Sequence, residues 1–346
     1  MKKKTVKKLL ALTALVFSLT ACSNGGETSD PTPTPDESGP VQSAQLESKT
    51  IAVLQYATHA SLDNCYTGFV QGLAEGGYTE GENLTIEFQN ANAIASDCDL
   101  MAKNMIATGY DLVAGIATPA AMALYGAARD TDIPVIFSAV SDPVSAGIVQ
   151  SLEAPGYNCT GTSDELDLDA QVAMIRGFLP DAAKIGIIYT TSEPNSITQL
   201  ERIKEIAPNY GFEILSVGIT NPSEVATAAA SLVSSGVNCF NNFTDNLVVE
   251  NLSQMLNAAD EAGIPIFGSE EEQVRNGCLA CQGIDYIALG QETGRMAAKV
   301  LSGEAEAGAL PVYVTSEYAP FYNSAVAQAM GLSLPEDYSN AVDVAQ

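Results

Sequence analysis

The chain has 346 residues, 46% of them apolar, and carries 42 Asp and Glu against 15 Lys and Arg, a formal net charge of −27. So few cations exclude a nucleic-acid partner, whose affinity comes largely from Lys and Arg on phosphate; bulk charge says nothing against small zwitterions. The length exceeds what one hydrophobic core usually fills, so two domains are expected.

In chain order, residues 1–21 read as an export signal. Lys2, Lys3, Lys4, Lys7 and Lys8 precede an apolar run at residues 9–21, too short to span a membrane comfortably, since spanning takes ~20 residues. Leu19-Thr20-Ala21-Cys22 has the form of a lipobox. Cys22 is therefore expected to carry lipid and to anchor the mature chain to the extracytoplasmic face of the cell membrane. Residues 22–48 are rich in Gly, Ser, Thr, Pro and acid, including Pro31-Thr32-Pro33-Thr34-Pro35, and read as a flexible tether with nothing to bury. No later apolar run approaches membrane-spanning length.

From residue 49 the chain alternates. Strands are expected at 51–55, 84–88, 111–115 and 134–138, with helices over 61–76 and 93–107 and a third helix opened by Thr118-Pro119-Ala120. Thr118 suits an N-cap and Pro119 the first helical position. This βαβα series implies a mainly parallel sheet. Near residues 158–164 the chain crosses to a second lobe, with a helix over 166–178. Residues 185–196 then repeat the strand–loop–helix opening of residues 51–63. Further strands are expected at 212–217, 237–242, 265–268 and 279–284, and a helix runs from Asp285-Tyr286 to Leu301. The expected lobes are 49–162 with 284–312, and 163–283 with 313–346, joined by several crossings that make a hinge. The fold class is α/β, with two Rossmann-like lobes. Ligands of open parallel sheets bind beyond the carboxyl ends of the strands, so two such lobes facing each other make a cleft.

The loops at those strand ends are rich in Ser, Thr, Asn, Asp and Glu. Arg129, Arg176, Arg202 and Arg295 fall in helix patterns, which leaves Arg275 alone outside them. A phosphate or dicarboxylate site would place Arg or a Gly-rich nest there. A single carboxylate can instead be held by hydroxyls and helix N–H groups, which Thr118-Pro119-Ala120 and Asn195-Ser196 supply, while Asp245 can pair with an ammonium. That combination suits an α-amino acid. Each residue also has a plainer reading: Thr118 and Ser196 as helix caps, Asp142 as a turn residue, Glu270 as a solvated helix start, and Tyr56 and Tyr189 as core at strand ends.

Catalysis finds little support, with His59 the one histidine and no G-x-S-x-G, H-E-x-x-H, P-loop or G-x-G-x-x-G motif. No enzyme activity, cofactor or metal is expected. Cys278 and Cys281 have zinc-like spacing without a second pair. Cys65, Cys98, Cys159, Cys239, Cys278 and Cys281 allow disulfides outside the cell, but in a chain this large they read mostly as small core residues.

Eight short stretches stand in a distinctive order. They are Leu54-Gln55-Tyr56 with His59 to Asp63, Thr118-Pro119-Ala120-Ala121, Ser141-Asp142-Pro143 with Val144 to Gly147, and Thr160-Gly161-Thr162-Ser163-Asp164. Ser192-Glu193-Pro194-Asn195-Ser196, Thr244-Asp245-Asn246, Phe267-Gly268-Ser269-Glu270 and Gly283-Ile284-Asp285-Tyr286 complete the series. Together they resemble the ABC-transporter substrate-binding lipoproteins of the tryptophan/tyrosine type, over residues 50–331. The resemblance implies a type I periplasmic-binding fold, two lobes on a three-strand hinge that close on the ligand. It implies an amino acid, commonly L-aromatic, delivered to a permease and an ATPase. By the resemblance Thr118, Ala120 and Ser196 would hold the carboxylate, Asp245 with Asn246 or Asp142 the ammonium, and Tyr56, Tyr189 and Asp285 the rest. Gln55, Asp63, Pro119, Ser141, Glu193, Asn195 and Glu270 complete the expected site. Cys65, Tyr66, Cys159 and Glu271-Glu272 depart from the pattern and bear on side-chain specificity. A monomer is the simplest form of such a clamp. The alternatives are a branched-chain or other hydrophobic amino acid as ligand, or an extracellular sensory domain.

Overall fold

The computed structural model describes residues 46–345; the expected signal, Cys22 and nearly all of the tether lie outside them. The first lobe opens with β1 (Lys49–Gln55), α1 (Ala60–Glu75), β2 (Leu84–Asn90), α2 (Ala95–Thr108), β3 (Leu112–Ile116), α3 (Thr118–Ala128), β4 (Val135–Ser138) and β5 (Cys159–Ser163). The second continues with α4 (Leu168–Phe178), β6 (Lys184–Thr190), α5 (Pro194–Ile206), β7 (Glu213–Ile219), α6 (Val225–Ser234), β8 (Cys239–Asn241), α7 (Asn246–Glu250), α8 (Leu252–Ala262), β9 (Ile266–Phe267), α9 (Glu271–Arg275) and β10 (Ala280–Gly283). The chain then returns through α10 (Tyr286–Leu301) and β11 (Tyr313–Val314), and ends in β12 (Ala319–Tyr322), α11 (Ser324–Ala329) and β13 (Val342–Asp343).

The first lobe holds a six-stranded sheet in the order β11-β5-β4-β3-β1-β2, parallel throughout. Its inner strands β3 and β4 are buried on both faces and accordingly read Leu-Val-Ala-Gly-Ile and Val-Ile-Phe-Ser without alternation. The second lobe holds a parallel four-stranded sheet, β7-β6-β8-β9. A three-stranded piece, β10-β12-β13, joins it with β10 and β12 antiparallel. The tail's antiparallel pairing is absent from the βα alternation read in the sequence. Short strands of two to four residues are set by their neighbours and have too little length to show a period.

The chain crosses between lobes after β5, after β10 and after β11. Tyr313 and Val314 pair with Thr162 and Ser163 of β5, so the last crossing follows Val314. The boundary drawn at 312 in the sequence therefore falls just ahead of the first lobe's last strand.

One packing contact decides where the second crossing delivers its residues. Helix α10 lies against α1 at backbone distance: a Cβ on Gly72 would stand 2.0 Å from the Gln291 carbonyl oxygen, and one on Gly290 would stand 2.2 Å from that of Cys65. Only glycine admits that approach. It brings the first turn of α10, with Tyr286, to the carboxyl end of β1. The six cysteines named above are all buried and unpaired, and burial raises their thiols well above the ordinary range. Among the described residues no helix is long and apolar enough to cross a membrane.

Candidate functional site

The carboxyl ends of both parallel sheets face each other, and their loops enclose a small cavity of about 20 Å³. His59, Leu62, Ala117, Thr118, Ala139, Ser141 and Tyr286 wall it from the first lobe, and Asn195, Thr244, Asn246 and Glu270 from the second. Asp164, at the first crossing, closes one side. About one water fits in such a space; an amino acid requires the walls to part.

Local geometry explains how the walls are set. Ala117, with φ +77°, turns the chain from β3 into α3, and Thr118 is the first helical residue with no side-chain cap. The first N–H groups of α3 thus lack the usual capping oxygen. Helix α5 likewise begins at Pro194 without a side-chain cap, so Asn195 and Ser196 lie in its first turn. Asp164 accepts hydrogen bonds from Ser141 Oγ at 3.0 Å and from Tyr286 Oη at 2.9 Å. Ser141 in turn accepts from Gln199 Nε2 of the second lobe at 3.1 Å. His59 Nε2 lies 3.4 Å from Asn246 Oδ1, a second contact across the cleft. The buried Glu270 Oε1 and Asn195 Oδ1 have no hydrogen-bond partner.

The electrostatics are one-sided. The cavity wall contains no Lys or Arg. Burial raises the Asp164 carboxyl above its ordinary range, against the opposing hydrogen bonds from Tyr286 and Ser141. Burial pushes Glu270 up to about 7, with the charges of Asp164 and Glu272 adding to it and Ser61 and Gln273 opposing. Burial also lowers His59, which keeps the imidazole neutral. Two carboxyl groups without a chain cation cannot both ionise comfortably in so small a space.

Of the residues expected in the site, Thr118, Ser141, Asn195, Asn246 and Glu270 come together in the cavity wall. Several others stand behind it and hold it in shape. Asp245 is the N-cap of α7, accepting from Val248 N at 3.0 Å, Thr190 N at 2.6 Å and Thr190 Oγ1 at 2.7 Å. Ser196 stands near the same carboxylate and opposes the rise that burial causes. Glu193 accepts from Asn246 N, Asn246 Nδ2 and Leu247 N at 3.1, 2.6 and 3.2 Å. Burial and the neighbouring Asp245 push Glu193 up to about 8. Both acids hold the start of α7, and neither Asp245 nor Glu193 lines the cavity. Gln55 Nε2 ties Asp63 Oδ1 at 2.8 Å. Ala120 is buried inside the first turn of α3.

The remaining expected residues lie elsewhere. Tyr56 donates to the Ala93 carbonyl at 3.2 Å and, with Pro119, lines a separate crevice between the lobes. Asp142 holds its own turn through Ser145 N and Oγ at 2.9 and 2.6 Å. Tyr189 covers Gly218 of β7. Asp285 caps α10, accepting from Ile287 N and Ala288 N at 2.9 and 3.0 Å. In sequence a capping carboxylate and a ligand-binding one look alike. Sequence reasoning missed Asp164, Tyr286, Thr244 and the wall role of His59. Asp164 and Tyr286 stand at the first two crossings and close two of the eight stretches quoted above, the signals that pointed to them.

Two facing parallel sheets, three crossings and a polar cavity at their strand ends define a two-lobed solute-binding clamp with the type I periplasmic-binding fold. The chain belongs to the ABC transporter substrate binding protein family, whose model matches residues 50–344. It is 37% identical over 332 residues, 95% of this chain and 93% of the relative, to a tyrosine-binding protein of Clostridioides difficile (strain R20291). A crystal structure of an ABC domain from Streptococcus pneumonia in complex with L-Trp is 35% identical and superposes with a TM-score of 0.82, covering 86% of this chain and 99% of that one. The ligand-free, open structure of a Clostridium difficile substrate binding protein with adhesive properties is 38% identical, yet its TM-score is 0.65, over 85% and 98% of the two chains. The chain thus superposes better on the L-Trp complex than on the ligand-free, open structure. In this chain the lobes meet through the Gln199–Ser141 and His59–Asn246 contacts around a cavity of about 20 Å³, a closed arrangement.

Proposed function

We propose that the clamp binds an L-aromatic amino acid between its lobes and hands it to an ABC permease and its ATPase. The observation that carries this reading is the mismatch of charge in the cavity. Glu270 and Asp164 offer carboxyl oxygens with no chain cation to meet them, while the uncapped start of α3 at Thr118 offers N–H groups. An α-ammonium and an α-carboxylate complement those two walls. Asn195 Oδ1 supplies a further acceptor for the ammonium. The tyrosine-binding relative and the L-Trp complex support an aromatic side chain.

In this reading the protein acts as a carrier and not an enzyme, works as a monomer, and is held at the outer face of the membrane by lipid on Cys22. Ligand stabilises the closed state through its higher affinity for it. Thermal unfolding against the twenty amino acids, sugars and nucleosides tests the class. Ligand at ~100-fold excess over Kd adds ~2.7 kcal/mol to the folded state. A rise confined to Trp, Tyr and Phe is expected; a rise only with sugars or nucleosides, or none, refutes the reading.

A further inference from the structure

We propose that Glu270 makes a cation the condition for closure: the lobes shut only when a ligand ammonium, or failing that a proton, stands against its carboxyl. This rests on the amino-acid reading above. Glu270 occupies the N-cap position of α9 but makes no capping hydrogen bond. It is 2% exposed, and its Oε1 has no partner. Its burial is a product of closure, because the wall it meets, with His59 and Leu62, belongs to the other lobe.

The groups facing Glu270 from every packed element supply no positive charge. Asp164 from the first crossing, Glu272 from α9 and Glu250 from α7 are acids, and the thiols of Cys65, Cys278 and Cys281 are raised by burial. Tyr286 from α10 already donates to Asp164. His59, ahead of α1, is kept neutral by burial and turns one nitrogen toward Asn246. Ser61 and Gln273 are polar neighbours that carry no charge. Closing an empty, ionised cleft would bury an unpaired carboxylate, which is strongly unfavourable. An ammonium removes that cost, and so does a proton. Acidic walls thus disfavour an empty closed clamp, which would otherwise compete for the transporter.

The sign follows from two states of one carboxyl. In parted lobes it meets water and titrates near the ordinary ~4.3; in the closed cleft without a cation it titrates at about 7. Closure without an ammonium therefore takes up a proton, is favoured at low pH, and is lost as pH rises through about 7. The discriminating ligands are L-tyrosine and L-tryptophan and their 2-hydroxy analogues, which keep ring and carboxylate but replace the ammonium with a hydroxyl.

Calorimetry on the full chain at pH 5 and pH 8 tests the proposal. Amino-acid affinity is expected to change little. Affinity for the hydroxy acids should fall on the order of 100-fold across that range, with about one proton taken up per ligand at pH 6 in buffers of different ionisation enthalpy. In Glu270→Gln the hydroxy-acid profile should be flat and the preference for the amino acid much reduced. Hydroxy-acid binding that is flat with pH in the unaltered chain, or absent at pH 5 while the amino acids bind, overturns the proposal without touching the amino-acid reading. Persistence of the pH dependence in Glu270→Gln also overturns it and assigns the proton to Asp164, whose carboxyl burial likewise raises; His59, lowered by burial, would give the opposite sign. Amino acids that fail to bind at either pH overturn the underlying reading, and this inference with it.

Discussion

Replacing Asp245 with alanine separates a scaffold role from a ligand role. The carboxylate is fully buried and accepts from Thr190 N, Thr190 Oγ1 and Val248 N. The Thr190 hydroxyl can rotate, but the two backbone N–H groups cannot find other acceptors. Each buried donor left unsatisfied costs about 1–3 kcal/mol, about 4 kcal/mol for the pair. Against that, the substitution removes a buried acid whose carboxyl burial has raised and relieves its repulsion with Glu193. The net expectation is a loss of about 3 kcal/mol, lowering Tm by about 6 °C or more. Urea denaturation and calorimetry on the same preparation read stability and affinity together. Because Asp245 does not line the cavity, the folded variant should still bind, with an affinity reduced about tenfold or less as Asn246 loses its anchor. Unchanged stability with binding abolished would refute this reasoning and return Asp245 to the ligand.

Four further outcomes follow from the packing and the buried acids. Gly72→Ala should destabilise by about 2 kcal/mol, since the clash with the Gln291 carbonyl outweighs the ~1 kcal/mol that alanine brings to a helix. Gly126→Ala in α3, where a Cβ meets nothing within 4 Å, should instead raise stability by about 0.5–1 kcal/mol, read by the same melts. Glu193 has its carboxyl raised to about 8, so the stability it lends is present in mild acid and lost as pH rises through that value. Glu193→Gln should therefore show a shallower fall in Tm between pH 6 and 9 than the unaltered chain; parallel falls would contradict the assignment. Tyr286→Phe leaves the buried Asp164 with one donor fewer and should cost about 1–2 kcal/mol of stability in the same melts and weaken amino-acid binding several-fold by calorimetry.

The alternation of apolar strands and amphipathic helices made the two lobes legible, because buried parallel strands require continuous apolar runs and their crossover helices require a period near 3.6. The antiparallel tail was not legible, since β12 and β13 owe their pairing to distant partners rather than to pattern. At the cavity wall, strand-end polarity picked out Thr118, Ser141, Asn195, Asn246 and Glu270. It could not separate the acid that faces the cavity from those that cap helices. Asp245 and Asp285 both precede a helix, as caps do, while Glu270 precedes one and caps nothing. That difference resides in side-chain direction, which depends on the opposite lobe. Asp164 and Tyr286 gain their roles only when α10 returns to lie on α1, a placement that glycines far from the cavity make possible.

The most direct test of the account is a crystal structure of the protein grown with L-tyrosine or L-tryptophan. The account predicts the ligand between the lobes, its ammonium against Glu270 and Asp164, its carboxylate at the start of α3 beside Thr118, and Asp245 still bonded to Thr190 and Val248. A ligand bound outside this cavity, or an ammonium turned toward Asp245, would contradict it.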